Sequence, residues 1–454
     1  MKYFLTQPAL NWLCSILQER YGHVFTLEQT PKGMLLKLQV VDQGSILFSN
    51  QLECFTLASS DLPHTQWDAA AEGWQSVLDQ PLPMPGCSAQ ELANQGQPLI
   101  TLDSNQAIIN YDILGLTYWM LNRIEEIGRT DLDDHGRFPA TASHAYKHNY
   151  LERPVVDEWL HVLGQVISKT WSGIELKQHR FSMKVSHDVD APSRYGFASA
   201  KGLLRAMAGD VLKRGDFKNP LRAPWIRLNS RETIHPSDPL NTFEWIMNLS
   251  DQHGLTSAFY FICGRTSNLD ADYEPEHPAI RALMRRIHER GHEIGLHPSY
   301  NTYQHPQMIA VEAQRLRKIA AEEGIEQAQW GGRMHYLRWE QPTTLRAWAD
   351  AGMDYDSTLS YADRPGFRCG TCFEYPAFDA VQGKILKLRV RPLVVMECSV
   401  IDACYSGLGA GDAARAKLAE LKGACRAVGG CFTVLWHNSR LNTQAESLVY
   451  SSSL

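Results

Sequence analysis

Past Arg180 the chain alternates short apolar runs with stretches of helical periodicity, and this alternation limits the fold more than any other feature of the sequence. Apolar runs at 181–186, 256–262, 293–296, just before Arg333 and at 431–436 read as strands. Helical patterns at 242–253, 279–290, 306–323 and 342–351 each stop at a glycine, namely Gly254, Gly291, Gly324 and Gly352. Repeated βα units bury a parallel sheet beneath their helices. The expected architecture is therefore α/β, with the sheet open or closed into a barrel.

The earlier part of the chain has a different texture. Residues 35–47 alternate as strands do, and a helix over 111–127 places Ile113, Leu116, Met120, Ile124 and Ile127 on one face. A further helix over 155–167 follows Pro154, and between the two lies DDHGRFPA, 133–140, read as a polar turn. No catalytic spacing occurs in this half. The change falls near residue 175, dividing the 454 residues into a smaller α+β domain, 1–175, and an α/β domain, 176–454. At the start, Leu10, Leu13, Cys14 and Leu17 fall at helical spacing, while Thr6, Gln7, Pro8 and Asn11 interrupt any signal-like apolar stretch, so a first amphipathic helix is expected.

Charge narrows the possible partners. Lys and Arg number 44 against 50 Asp and Glu, a net −6 without any block of five or six like charges, which argues against nucleic acid as the ligand. The most apolar stretch, 107–121, is broken by Asn110, Asp112 and Gly115, so no membrane span is expected. Ten cysteines lack framework spacing and suit reduced thiols in a cytoplasmic protein; Cys369 and Cys372 form a lone CxxC that reads as neither a zinc nor a redox motif.

The chemistry lies at the ends of the expected strands, where α/β folds place their active sites. Strand 181–186 delivers His187, Asp188 and Asp190; strand 293–296 delivers His297 and, four residues on, Asn301; the next delivers Arg333 and His335; the last delivers His437 and Asn438. Two carboxylates two residues apart can divide their roles, one binding a metal and the other taking a proton. An Asp, a His and one further donor leave a coordination position open for water, as catalytic zinc sites do.

These residues resemble those of the polysaccharide deacetylase family. SHDVD at 186–190, GHEIGLHPSYN at 291–301, GGRMHYLRW at 331–339, MDYDSTLSYAD at 353–363 and VLWHN at 434–438 are similar, in order and spacing, to its five motifs. The resemblance covers about 180–440 and implies a distorted (β/α) barrel, a divalent metal ion, zinc above all, and hydrolytic removal of acetyl from an amino sugar. The first 175 residues, with RIEE, HGRFPA and RPVVDEWL, resemble an uncharacterised domain found before such deacetylases in bacterial surface-polysaccharide gene sets.

Carried over residue by residue, the resemblance implies Asp188 as base, Arg333 as its partner, His437 as general acid, and Asp190, His297 and Asn301 as metal ligands. The family's adjacent Asp pair is here split by Val189, which leaves base and ligand interchangeable between Asp188 and Asp190; Asn301 stands where a second histidine is expected, so His335 or His305 is the alternative ligand. Tyr300, His335, Trp339 and Asp356 are expected against the substrate, an acylated amino sugar in nucleotide-linked or lipid-linked form. An insertion at 213–241, with Pro220, Pro224, Pro236 and Pro239, reads as a loop that grips an anionic substrate or as a solvated excursion, and the C-terminal SLVYSSSL as frayed. Hydrolysis of a cyclic amide or ureide on the same fold, and a catalytically silent sugar-binding or assembly protein, are the competing functions.

Overall fold

The computed structural model describes residues 5–454 apart from 42, 104 and 105. Near the N-terminus, helix Gln7–Tyr21 starts with Pro8 in its first turn and is closed by Gly22 at φ +79°, whose amide returns to the Gln18 carbonyl. Strands β1 (Phe25–Thr30), β2 (Gly33–Leu38) and β3 (Ser45–Phe48) follow. After them come a two-stranded ribbon, β4 (His64–Trp67) with β5 (Leu82–Pro85), and the pair β6 (Ile100–Leu102) and β7 (Gln106–Ile109). The order β1-β2-β3-β7-β6 makes a five-stranded sheet that is antiparallel except for the β3–β7 pairing.

The helix expected over 111–127 is shorter, Ile113–Leu121. Asp112 caps it by accepting the Gly115 amide, and Arg123 leaves the helical region at φ +49° before a 3-10 turn, Ile124–Glu126. Helix Val155–Thr170 runs three residues past the expected end.

The larger sheet takes β8 (Ser182–Val189), β9 (Ser257–Ile262), β10 (Glu293–His297), β11 (Gly331–Gly332), β12 (Tyr355–Asp356), β13 (Tyr375–Asp379), β14 (Lys384–Val390), β15 (Val395–Met396) and β16 (Cys431–Leu435) in the order β13-β14-β12-β11-β10-β9-β8-β16-β15. Every pairing is parallel except β13 with β14. The connecting helices Phe243–Gln252, Pro278–Glu289, Pro306–Glu322 and Thr343–Asp350 match the sequence reading to within a residue or so. Strand β8 runs three residues further than expected because Val189 still pairs with Phe261 on β9, so His187 and Asp188 lie inside the strand. Strands β13 to β15 escape sequence reading: β14, KILKLRV, is only partly buried, and β15 has two residues.

Two segments expected to be irregular are ordered. Helix Lys218–Leu228 occupies the insertion, with Pro220 in its first turn and Ala223 and Ile226 packed against Tyr195. The C-terminus is helix Gln444–Ser453, started by a Thr443/Glu446 capping box and anchored by buried Val449 and Tyr450.

The apolar interior is continuous between the two sheets. Trp12, on the first helix, lies 5.5 Å from the Phe378 ring and donates its indole N–H to the Pro376 carbonyl at 2.8 Å. Beside it runs a buried ionic network: Arg123 binds Glu125 (3.0 Å) and Glu126 (2.8 Å), and Arg368 binds Glu126 at 2.6 Å. Among the described residues no helix is long and apolar enough to cross a membrane.

Candidate active site

Along β8, side chains two residues apart share a face, so Asp188 and Asp190 project together while His187 and Val189 take the other side. The structure divides the four residues accordingly. His187 is fully buried, its Nδ1 bonded to the Trp436 carbonyl at 2.7 Å, and burial lowers its pKa to about 4. It is a packing residue. Asp188 is buried against Arg333, whose Nη1 donates to Oδ1 at 2.8 Å. The rest of that guanidinium is fixed by Ser186 Oγ (2.9 Å), Ser357 Oγ (3.1 Å) and the Ser357 carbonyl (2.9 Å), so the cation cannot swing away from the carboxylate.

Asp190, at the end of β8, meets the histidines. Its Oδ1 lies 3.3 Å from His297 Nε2 and 3.7 Å from His335 Nε2, while its Oδ2 lies 3.5 Å from His437 Nε2. Both ligand-side histidines have their tautomer set from behind. His297 Nδ1 bonds the Arg333 carbonyl at 2.6 Å, and His335 Nδ1 bonds Asp270 Oδ1 at 3.1 Å. A carbonyl or carboxylate only accepts, so both Nδ1 atoms donate, and in the neutral rings both Nε2 atoms offer lone pairs toward Asp190. Burial would raise the Asp190 pKa, but His335, His297 and His437, when protonated, outweigh it and hold it well below the usual carboxylate range. For His297, burial pulls the other way and the Asp188 and Asp190 carboxylates win, raising its pKa.

A cation suits this position. Asp190 Oδ1 is buried and without a hydrogen-bond donor, and it faces two Nε2 lone pairs. Ligand atoms of Asp190, His297 and His335 all lie within 4.8 Å of one another. Tetrahedral zinc with bonds of about 2.0–2.2 Å separates its ligand atoms by roughly 3.3–3.6 Å, so the trio needs little movement to close on an ion.

On the Oδ2 side of Asp190 stands His437, whose Nδ1 is 2.5 Å from Glu397 Oε1. Glu397 is buried, and its charge, with smaller help from Cys398 and Asp190, raises the His437 pKa well above the ordinary value despite burial. Glu397, Cys398 and His437 form a second group of metal-capable side chains at the wall. Asp188, Asp190, His297, His335 and His437 all line one cavity of about 610 Å³.

Several expected residues are elsewhere. Asn301 is exposed, and its amide donates to the Thr266 carbonyl at 2.8 Å, away from the metal trio; His305 is exposed too. Of the expected substrate contacts only His335 lines the cavity. Trp339 and Asp356 are buried in the interior, where burial raises the Asp356 pKa to about 6, and Tyr300 sits behind His335 with its hydroxyl 2.9 Å from His135 Nδ1. None of 213–241 lines the cavity. Asn438 is spent on the carbonyls of Ala191 (3.0 Å) and Leu240 (2.9 Å).

Sequence reasoning missed Asp270, Glu397 and Arg137. Asp270 lies on the loop after β9; its pKa falls to about 2 because the His335 ring and the amides of Tyr300, Thr266 and Ser267 outweigh its burial. Arg137 belongs to DDHGRFPA yet lines the cavity. One consequence is testable directly. Asn301→His should leave divalent-metal affinity unchanged in a chelator competition, because that side chain faces Thr266, whereas His335→Ala should weaken binding by at least tenfold.

Residues 6–172 match the model of a family described as a family of unknown function, DUF7033. No curated protein matches the chain. Among solved structures it is similar to a putative polysaccharide deacetylase from Mycobacterium smegmatis, with 14% identity and a TM-score of 0.40 over 62% of this chain and 84% of that one. It is also similar to the Puue allantoinase (12%, 0.35, 62% and 84%) and to a probable polysaccharide deacetylase from Pseudomonas aeruginosa PAO1 (14%, 0.34, 60% and 83%). Likeness this distant says nothing of the reaction, which has to be read from the side chains.

Proposed function

We propose that the protein is a metal-dependent hydrolase that removes an acyl group, acetyl in the first instance, from the nitrogen of an amino sugar. The observation that carries this reading is the division of labour around one cavity: a carboxylate fixed by arginine, a trio of metal-capable side chains, and a histidine–carboxylate pair beside them. Asp190, His297 and His335 would hold a divalent ion, which would supply Lewis-acid chemistry for acyl hydrolysis. Asp188, oriented by Arg333, takes the proton of the attacking water. His437, kept protonated by Glu397, gives a proton to the departing amine nitrogen as the C–N bond breaks.

The larger sheet supports a barrel. Within 384–396, Arg389 and Val390 pair with β12 while Val395 and Met396 pair with β16, which links the two flanks of the strand order through one stretch of chain. Strands β8 and β11 are three places apart, roughly 14 Å on a flat sheet at the usual spacing. Arg333, just past β11, nonetheless bonds Asp188 on β8 at 2.8 Å, which calls for strong curvature. We further propose that 1–175 and 176–454 are separate domains in evolution, packed as one body, and that the ten unpaired thiols suit a cytoplasmic enzyme acting on nucleotide-linked or lipid-linked precursors.

The test is acetate release, with metal content, from UDP-linked and lipid-linked N-acetyl amino sugars beside the finished polymer. Release dependent on the ion supports the reading. Turnover of cyclic amides or ureides alone, or of nothing in a metal-free protein, overturns it.

The pH profile is a second check. His437 has a raised folded-state pKa, so its acid form is complete at low pH and persists past the ordinary histidine value before being lost as pH rises. The alkaline limb of kcat should therefore lie well above the ordinary histidine value, and Glu397→Gln should bring it down.

A further inference from the structure

We infer that the segment Asp133–Arg137, inside the region matched by the family of unknown function, is a positioning element of the metal site: it holds the turn behind His335 and thereby sets the third ligand. This rests on the functional reading above for the identity of the ligands.

His335 is followed by Tyr336 at φ 61° and ψ 14° and by Leu337 at φ 56°, two consecutive non-glycine residues in the left-handed region. Such residues persist only where their surroundings hold them. The hold comes from the other half of the chain. Arg137 Nη1 donates to the Tyr336 carbonyl at 2.8 Å, and the His135 ring lies 4.7 Å from that of Tyr336. Arg338, just past the turn, donates from Nε to the His135 carbonyl at 2.7 Å and from Nη1 to the Tyr300 carbonyl at 2.6 Å.

The segment is built to do this. Asp133 Oδ1 accepts the amides of His135 and Arg137 at 2.9 Å each, and its Oδ2 takes Arg137 Nε at 2.8 Å. Gly136 turns the chain at φ +71°, and a Cβ there would come within 3.0 Å of the Tyr303 hydroxyl. The result is a nearly buried guanidinium with two edges spent, one on its own loop and one on the backbone next to a ligand. Freed of Arg137, the turn can relax towards ordinary backbone, which rotates His335 and draws its Nε2 from the 3.7 Å position beside Asp190.

The experiment uses the full chain and zinc alone. Arg137→Met should weaken zinc binding by roughly 10- to 100-fold in a chelator competition, with Arg137→Lys recovering part of it. Arg153→Met, which breaks a buried pair with Glu158 in the same half of the chain, should lower the melting temperature without changing zinc affinity. Adding Tyr336→Gly to Arg137→Met should restore some affinity, since glycine accepts the left-handed turn unaided. Wild-type affinity in folded Arg137→Met, or equal weakening in Arg153→Met, overturns the inference. If the wild type takes up no zinc, the ligand reading has failed and the clamp is judged on stability: additive effects of Arg137→Met and Tyr336→Gly on melting temperature overturn it, and mutual compensation supports it.

Discussion

Asp188→Asn is expected to cut acetate release by on the order of 10²–10⁴, roughly 3–5 kcal/mol of barrier, with zinc content nearly intact. The amide keeps the shape of the carboxylate, and its oxygen still accepts from Arg333, so the 2.8 Å contact and the buried guanidinium survive. What is lost is the ability to take a proton. The geometry also separates the two aspartates. Asp188 spends Oδ1 on Arg333 and keeps Oδ2 3.8 Å from His297 Nε2, beside the ligand trio, whereas Asp190 Oδ1 is the orphaned oxygen between the two imidazoles. Asp190→Asn should therefore lose zinc together with activity. Were Asp188→Asn to lose its zinc instead, the two roles would be exchanged; an undiminished rate would remove Asp188 from the reaction altogether.

The parts of this site that sequence makes legible are those written in local periodicity. The βα series from 181 to 436 follows from apolar runs and helix-stopping glycines, and the strand ends bring Asp188, Asp190, His297 and His437 to one cavity, with Arg333 buried behind it against Asp188. The pleat then separates Asp188 and Asp190 from His187, because residues two apart share a face. The rest depends on tertiary placement. At Asn301 the chain has turned towards Thr266, and the side chain that stands with Asp190 and His297 is His335, from the neighbouring strand end. Trp339 and Asp356 carry the composition of a sugar-binding wall but are absorbed by the interior. Glu397 follows a two-residue strand with no periodic signal, and Arg137 is an ordinary turn residue until the other half of the chain folds against it.

The largest stability effect should come from Arg123→Met, at about 3–5 kcal/mol, the usual cost of leaving a buried charge without its partner. Arg123 lies on the left-handed turn after helix Ile113–Leu121 and is fully buried between Glu125, Glu126 and the Tyr361 hydroxyl, which it reaches at 3.1 Å. Burial alone would raise the Glu126 pKa, but Arg368 and Arg123 hold it below the ordinary value; Glu125 is already raised because its burial exceeds what Arg123 returns. Without Arg123, Glu126 keeps Arg368, but Glu125 loses the charge that offset its burial and is driven further towards the protonated form, so its folded-state pKa rises further above that of the unfolded chain. A group raised in this way favours the folded state at low pH and loses that contribution as pH rises through the folded value. The variant should thus be penalised more at pH 8 than at pH 5 in urea unfolding, and Glu125→Gln added to it should recover part of the loss. Because Arg368 and Tyr361 belong to the larger sheet's half of the chain and Arg123 to the other, the damage should appear as one shifted cooperative transition. Two separated transitions, with only the first half shifted, would mean that this network does not join the halves and that the cavity can keep its zinc after the N-terminal half has melted.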